Sequence, residues 1–328
     1  MIGRRIFLQG MGAAAVAAGL PWQAQAQPAY PERVVRLIVP RPSGGVVDVI
    51  AREWSDKVGK SFGATYVDNI GGGGGTIGAA TVARAPADGY TLLLGTTSEL
   101  VISPILAHQS YDPVESFEPI AMICASTASI VVHPSVPASN LKELVAYAKA
   151  NASKANYGSA GVNTVSNLAG ELFKRVAGVP ELTHIPYKGG GPAMSDLIGG
   201  QIPIATPMMS ESILELHKQG KIKVLAVAAR QRLAGLADFA TAAEQGFPDL
   251  VAQLWFGLFA PAKTPQPYLV KIADATKTAL QDAGLKKSFA AGGFEPLSET
   301  DPASASAYVK KEIARWTPLL EQFATKRK

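Results

Sequence analysis

A single cysteine, Cys124, stands in 328 residues, so no internal disulfide can form. It lies deep in an apolar run far from the N-terminus, which fits a buried structural thiol better than a lipid anchor or a nucleophile. The four histidines, His108, His133, His184 and His217, share no metal-ligand spacing and have no paired acids beside them. His184 in a strand and His133 before Pro134 read as structural. The run Tyr157-Gly158-Ser159-Ala160-Gly161 does not meet the G-x-S-x-G spacing of a nucleophile elbow. Lys and Arg outnumber Asp and Glu by 31 to 26 but form no stripe able to track a phosphate backbone, so nucleic acid is not a supported partner. No repeat, low-complexity linker or long charge run divides the chain. The apolar stretch Met11 to Leu20 is shorter than the roughly 20 residues that cross a bilayer.

That stretch reads as part of an export signal. Arg4-Arg5-Ile6-Phe7-Leu8 supplies a twin-arginine pair, and Ala24-Gln25-Ala26 supplies the small residues a peptidase needs. Residues 1–26 are therefore expected to direct twin-arginine export and to be cleaved after Ala26 in the periplasm. About 300 residues remain, enough for two domains with cores of their own.

Glycine, by contrast, is plentiful at 32 residues and gathers in turns. The run Thr183 to Leu197 is the most informative. An apolar strand ends at Pro186, Lys188 and three glycines follow, and a helix opens at Pro192. Glycine lets backbone N–H groups approach a ligand closely, and a helix start carries about half a positive charge. Lys188 adds a full charge beside them, so the turn suits a small anion. The same design occurs at Pro42-Ser43-Gly44-Gly45, at Gly71 to Gly75 and at Ser159-Ala160-Gly161. Any one of these is also an ordinary βα turn. Four together point to a cleft lined by helix starts.

Apolar runs alternate with helical spacing along the chain. Val34–Val39, Thr65–Asp68, Thr91–Leu94 and Ile120–Ile123 read as strands, with helices at Val46–Val58 and Thr76–Arg84 between them. This order predicts a parallel sheet covered on both faces. A second series begins near Val131, with helices at 141–149, 165–176, 192–198 and 211–219 and strands at 156–158, 183–185, 204–205 and 223–228. A strand at Trp255–Ala260 and helices at 265–283 and 302–324 complete the chain. The last helix places Tyr308, Ile313, Trp316, Leu319 and Phe323 near one stripe. Without a linker, the two lobes must be joined by strands crossing near residues 130 and 250.

Two constellations suggest other chemistry. Gly73 to Gly78 satisfies G-x-G-x-x-G between a strand and a helix, with Glu99 where a ribose-binding acid would stand. This is the basis for an alternative reading, an exported dinucleotide-dependent oxidoreductase using the Gly71–Gly78 turn. Against it, five consecutive glycines contain the motif in several registers by chance, and Glu99 lies well past its strand. Asp48 and Arg52 stand at i and i+4 in the first helix and read as an ion pair that orders the Gly44–Gly45 turn. Trp255 and Phe256 read as core.

Several segments are similar to one known family. Pro42-Ser43-Gly44-Gly45-Val46-Val47-Asp48 with Ala51-Arg52, Ala87-Asp88-Gly89-Tyr90-Thr91-Leu92, and Tyr157-Gly158-Ser159-Ala160-Gly161 carry the likeness. Leu168-Ala169-Gly170-Glu171-Leu172-Phe173, Pro186-Tyr187-Lys188-Gly189 and Trp255-Phe256-Gly257-Leu258-Phe259-Ala260-Pro261 extend it over nearly the whole mature chain. The chain resembles the Bug receptors, the extracytoplasmic solute receptors of tripartite tricarboxylate transporters.

The resemblance implies a type II periplasmic-binding fold, two α/β domains with the ligand cleft between them. Residues 27–130 and 251–328 would form the first domain and residues 131–250 the second. It implies a monomeric receptor, not an enzyme and without a cofactor, that captures a small carboxylate and delivers it to membrane permease subunits. By that likeness Ser43, Gly44, Gly45, Val46 and Val47 grip one carboxylate together with Ser159, Gly161, Asn163 and Thr164. Loops at Thr96–Glu99, Tyr187–Gly189 and Pro207–Ser210 would meet the rest of the ligand, through Thr96, Ser98, Tyr187, Lys188, Gly189 and Met208. The family often has threonine where Val47 stands, and serine or a small residue where Val162 and Asn163 stand. Its usual segment after the fifth strand is replaced by Ala205-Thr206-Pro207-Met208-Met209. These departures predict an aromatic or aliphatic mono- or dicarboxylate in preference to citrate, malate or tartrate.

Overall fold

The computed structural model of the protein describes residues 30–152 and 155–324. The twin-arginine pair and the cleavage site after Ala26 lie outside the described residues. The chain opens with β1 (Val35–Val39), α1 (Val46–Val58), β2 (Thr65–Asn69), α2 (Thr76–Ala83) and β3 (Thr91–Thr96). A π turn over Ser98–Ile102 runs into α3 (Ser103–Leu106), and β4 (Phe117–Thr127) and β5 (Ser129–Val132) follow. Next come α4 (Leu141–Ala150), β6 (Asn156–Ser159), α5 (Val165–Ala177), β7 (Thr183–Pro186), α6 (Gly190–Ile198) and β8 (Ile204–Ala205). Then α7 (Glu211–Lys218), β9 (Lys223–Val227) and β10 (Gln253–Pro261) lead to α8 (Gln266–Ala279), α9 (Ala283–Gly292), β11 (Glu295–Pro296) and α10 (Pro302–Ala324).

Two sheets result. The larger has the order β11-β4-β10-β3-β1-β2 and the smaller β7-β6-β8-β5-β9. The chain passes from the larger to the smaller between Thr127 and Ser129, and returns between Val227 and Gln253. Three small buried residues close the crossing through backbone bonds. Ala128 N–H donates to Ala252 O (2.9 Å), Ala252 to Ala228 O (3.0 Å) and Ala228 to Ala128 O (2.7 Å).

Local sequence accounts for much of this. The run Val-Arg-Leu-Ile-Val of β1 is buried at four of five positions, as expected of a parallel strand covered on both faces. On α1 the residues Val47, Ile50, Ala51, Trp54 and Val58 recur at helical spacing and are buried. Trp54 caps this packing by donating its indole N–H to Thr276 Oγ1 on α8 (3.1 Å). Alternation along β5 sends Ile130 and Val132 into the main core and Val131 into a separate core on the other face. On α10, Trp316 is buried and donates to Glu312 Oε2 (3.1 Å), and Tyr308 and Ile313 pack against the core. The side chains of Leu319 and Phe323 lie outside those described. Cys124 is fully buried, and burial pushes its thiol well above the ordinary range, as suits a structural role.

Three expectations are corrected. β2, β1 and β3 pair in parallel as expected, but the larger sheet as a whole is mixed, because β10 runs antiparallel to both β3 and β4. It enters directly from the smaller sheet with no crossover helix to reverse it. The single helix expected over 265–283 breaks after Ala279, and Asp282 accepts from Leu285 N–H to start α9. The helix expected to open at Pro192 opens at Gly190.

Candidate functional site

Between the two sheets lies a cavity of about 160 Å³ whose wall is built mainly from helix starts. Such a space admits a small solute and falls below the roughly 300–1,000 Å³ of sites for drug-sized ligands. From the first sheet come Arg41, Pro42 and the Ser43–Val47 turn into α1, with Ser98 and Leu254. From the second come Ala160 and Thr164–Ser166 at α5, Gly189–Pro192 at α6, and Pro207, Met208, Ser210 and Ser212 at α7.

The four starts are not equivalent. α1, α6 and α7 begin at Gly45, Gly189 and Ser210, none of which caps its helix with a side chain. Side chains therefore leave their first-turn N–H groups to an anion, apart from Ile213 N–H, which donates to Ser210 O (3.1 Å), and Pro192, which has none. At α5 the donors are satisfied internally. Ala160 N–H donates to Ser166 Oγ (3.1 Å), Gly161 to Ser159 Oγ (3.1 Å), Asn163 to Asn167 Oδ1 (3.2 Å) and Val165 to Ser98 Oγ (3.3 Å).

Glycines divide the same way. A Cβ at Gly44, Gly45, Gly190 or Gly191 would meet no described atom within 4 Å, so these face open space. The Gly71–Gly78 run is packed against protein instead. A Cβ at Gly74 would lie 2.7 Å from Val162 O, and one at Gly75 1.9 Å from Arg41 Nη1. Glu99 is wholly buried; its carboxylate accepts from Thr96 N–H, from Thr96 Oγ1 (2.8 Å) and from Arg41 Nη2 (3.2 Å). Neither the turn nor the acid can serve a dinucleotide, which corrects that alternative. The place of the Gly71–Gly75 turn among the four helix starts is taken by α7.

Of the residues anticipated for the site, Ser43, Gly44, Gly45, Val46, Val47, Ser98, Thr164, Gly189 and Met208 line the cavity. Thr96, Ser159, Gly161, Asn163, Tyr187 and Lys188 do not. Thr96 is buried against Glu99, and Ser159 Oγ shares a hydrogen bond with His184 Nε2 (2.7 Å). Tyr187 donates to Asp196 Oδ2 (2.7 Å); burial, then that bond, push its hydroxyl up to about 12. Lys188 is exposed. Val162 is also exposed and off the cavity wall, and Met209 is buried in the second sheet's core. The anticipated Pro207–Ser210 loop leads into α7 and lines the cavity, whereas Arg41 was missed, although it stands two residues past a strand's carboxyl end, where α/β folds place ligands.

Asp48 orders the first turn as its spacing suggested. It accepts from Gly44 N–H (3.0 Å) and Arg52 Nε (2.9 Å) on Oδ2 and from Asn69 Nδ2 (3.0 Å) on Oδ1. Burial alone would raise this carboxyl, but the bonds from Arg52, Gly44 and Asn69 outweigh it and hold it below the usual aspartate range. A depressed folded pKa contributes stability above the unfolded value of about 3.9, lost as pH falls through the folded one. Asp48→Asn is therefore expected to be less stable than wild type at neutral pH, with the gap closing in acid. Urea unfolding of both proteins across pH 2–7 checks this, and a gap independent of pH would refute it.

The fold and site define a two-lobed α/β binding protein whose interlobe cleft suits a small anion. The chain matches the family described as the tripartite tricarboxylate transporter family receptor over residues 50–324, and it belongs to that family. It is 35% identical to a protein from the TAR-I ttuE-ttuC′ intergenic region of Agrobacterium vitis, over 92% of this chain and 88% of that one. It is 32% identical to BugT of Bordetella pertussis, over 91% and 92% of the two chains. Among solved structures it resembles the periplasmic binding protein BugD, with a TM-score of 0.85 and 34% identity over 89% of this chain and 98% of that one. It also resembles MatC of Rhodopseudomonas palustris with bound malate, with a TM-score of 0.84 and 29% identity over 89% and 100%. An R. palustris protein with adipate gives a TM-score of 0.85 and 30% identity over 90% and 98%. The protein is thus a periplasmic solute-binding receptor and not an enzyme.

Proposed function

We propose that this receptor captures a small organic carboxylate in the interlobe cleft and hands it, as a monomer, to the permease subunits of a tripartite tricarboxylate transporter. The carrying observation is the convergence of three helix starts without side-chain caps on one small cavity. Structural relatives with malate and with adipate support a carboxylate. The described residues within 27–130 and 251–328 form one domain of the receptor and those within 131–250 the other.

The ligand's body is aromatic or aliphatic and not rich in hydroxyls. Val46, Val47, Val165, Met194, Met208 and Leu254 supply apolar wall. Several wall hydroxyls are already engaged: Thr164 Oγ1 donates to Gly161 O (2.7 Å) and Ser166 Oγ to Thr206 O (2.7 Å). Each ligand hydroxyl buried without a partner would cost about 1–3 kcal/mol. A thermal-shift screen of mono- and dicarboxylates, followed by competition titration, is expected to rank aliphatic-chain or aromatic acids above citrate, malate and tartrate. Tighter binding of citrate or malate than of every such acid refutes the preference. Any ligand at a hundred times its Kd should add roughly 2.7 kcal/mol of stability.

Export by the twin-arginine route is tested separately. Replacing Arg4 and Arg5 with lysine should leave the precursor in the cytoplasm, while periplasmic accumulation in cells lacking the twin-arginine translocase would show a Sec-type signal.

A further inference from the structure

Among the described residues Arg41 is the one charged residue lining the cavity, and it is only 8% exposed. A guanidinium so enclosed is held by design. Its Nη1 donates to Pro40 O (2.8 Å) and its Nη2 to Glu99 Oε2 (3.2 Å), and its own carbonyl accepts from Asn69 Nδ2 (3.0 Å). Gly75 makes room for it: with φ +99° and a Cβ position 1.9 Å from Nη1, no other residue would leave the guanidinium in place. Glu99 is anchored independently by Thr96, so it fixes the position of the arginine and does not depend on it.

Stability alone does not explain such a pair. A buried ion pair rarely stabilises more than well-packed apolar residues of the same volume. This one has one partner on the cleft wall, and its contact with Glu99 uses one η nitrogen. Of the five N–H groups of a guanidinium, two are bonded within the described protein, which leaves donors for a planar anion.

We infer that Arg41 is a specificity-determining residue that takes a second carboxylate of the ligand, making this receptor selective for dicarboxylates over monocarboxylates of the same length. The inference rests on the carboxylate-receptor reading, in which the first carboxylate meets the helix starts. It adds a charged partner to a wall otherwise built from backbone donors and uncharged side chains.

Matched pairs test it: adipate with hexanoate, and terephthalate with 4-methylbenzoate, titrated calorimetrically into wild type and into Arg41→Met/Glu99→Gln. The double variant removes both charges together, so no buried acid is left without its partner, and its thermal unfolding reports whether the fold is intact. Wild type is expected to prefer the diacid of at least one pair by tenfold or more, and the double variant by less than threefold. Arg41→Lys should recover part of the preference, since a charge remains without the planar fork. Equal wild-type affinity within the pairs, or a preference that survives in the double variant, overturns the inference while leaving the receptor reading intact. Failure of wild type to bind any of the four acids overturns both.

Discussion

Gly45→Asp is expected to abolish ligand binding while leaving the fold as stable as wild type. Gly45 precedes α1 with φ −92° and ψ 171°, extended backbone that any residue adopts, and a Cβ there would meet no described atom within 4 Å. Aspartate is also a favoured helix cap, so the change carries little folding cost beyond repulsion from Asp48. Its effect on binding is severe for two reasons. The new carboxylate would accept the first-turn N–H groups that an anionic ligand needs, and it would place a negative charge against that ligand. Gly44 is a poorer test site, because its φ of +83° strains any other residue whether or not ligand is present. Isothermal titration beside thermal unfolding decides the matter. Unaltered affinity in a folded Gly45→Asp protein would place the ligand elsewhere.

Arg41→Met, made alone, is expected to destabilise the protein by about 3–5 kcal/mol at neutral pH, the cost of stranding one member of a buried ion pair. Glu99 is wholly buried, and burial already raises its carboxyl against the opposing pull of Arg41. Removing the arginine leaves burial less opposed. A carboxyl whose folded pKa lies above its unfolded value of about 4.3 is protonated more readily in the native state, so acid relieves the penalty. The stability deficit should therefore be greatest at neutral pH and shrink as pH falls toward about 4. Adding Glu99→Gln should restore most of it at every pH. Urea unfolding of the three proteins at pH 7.5 and pH 5 tests this, and an Arg41→Met protein as stable as wild type at pH 7.5 would refute it.

Local pattern read the elements well where one face of each was apolar. The helix at Val46–Val58 and the last helix at Pro302–Ala324 follow from periodic burial, and Asp48 with Arg52 follows from i, i+4 spacing. The direction of β10 was not legible, because a strand's own residues do not record whether it returns through a crossover helix or directly from another lobe. The split between α8 and α9 rests on one side chain, Asp282, turning to cap Leu285 N–H.

The sequence by itself determined that glycine-rich turns precede helices, that one thiol is buried, and which family the chain resembles. Which turns face a ligand was decided only by the tertiary structure. Gly44 and Gly45 read no differently from Gly74 and Gly75, yet the first pair borders open space while the second admits Val162 O and the Arg41 guanidinium. The same holds for amides: those at α5 are taken by Ser166, Ser159, Asn167 and Ser98, and those at α1, α6 and α7 have no side-chain cap. A donor's availability depends on what packs against it from distant parts of the chain. Arg41 shows this most plainly, since its partner Glu99 is 58 residues away and the glycine that admits it is 34 away.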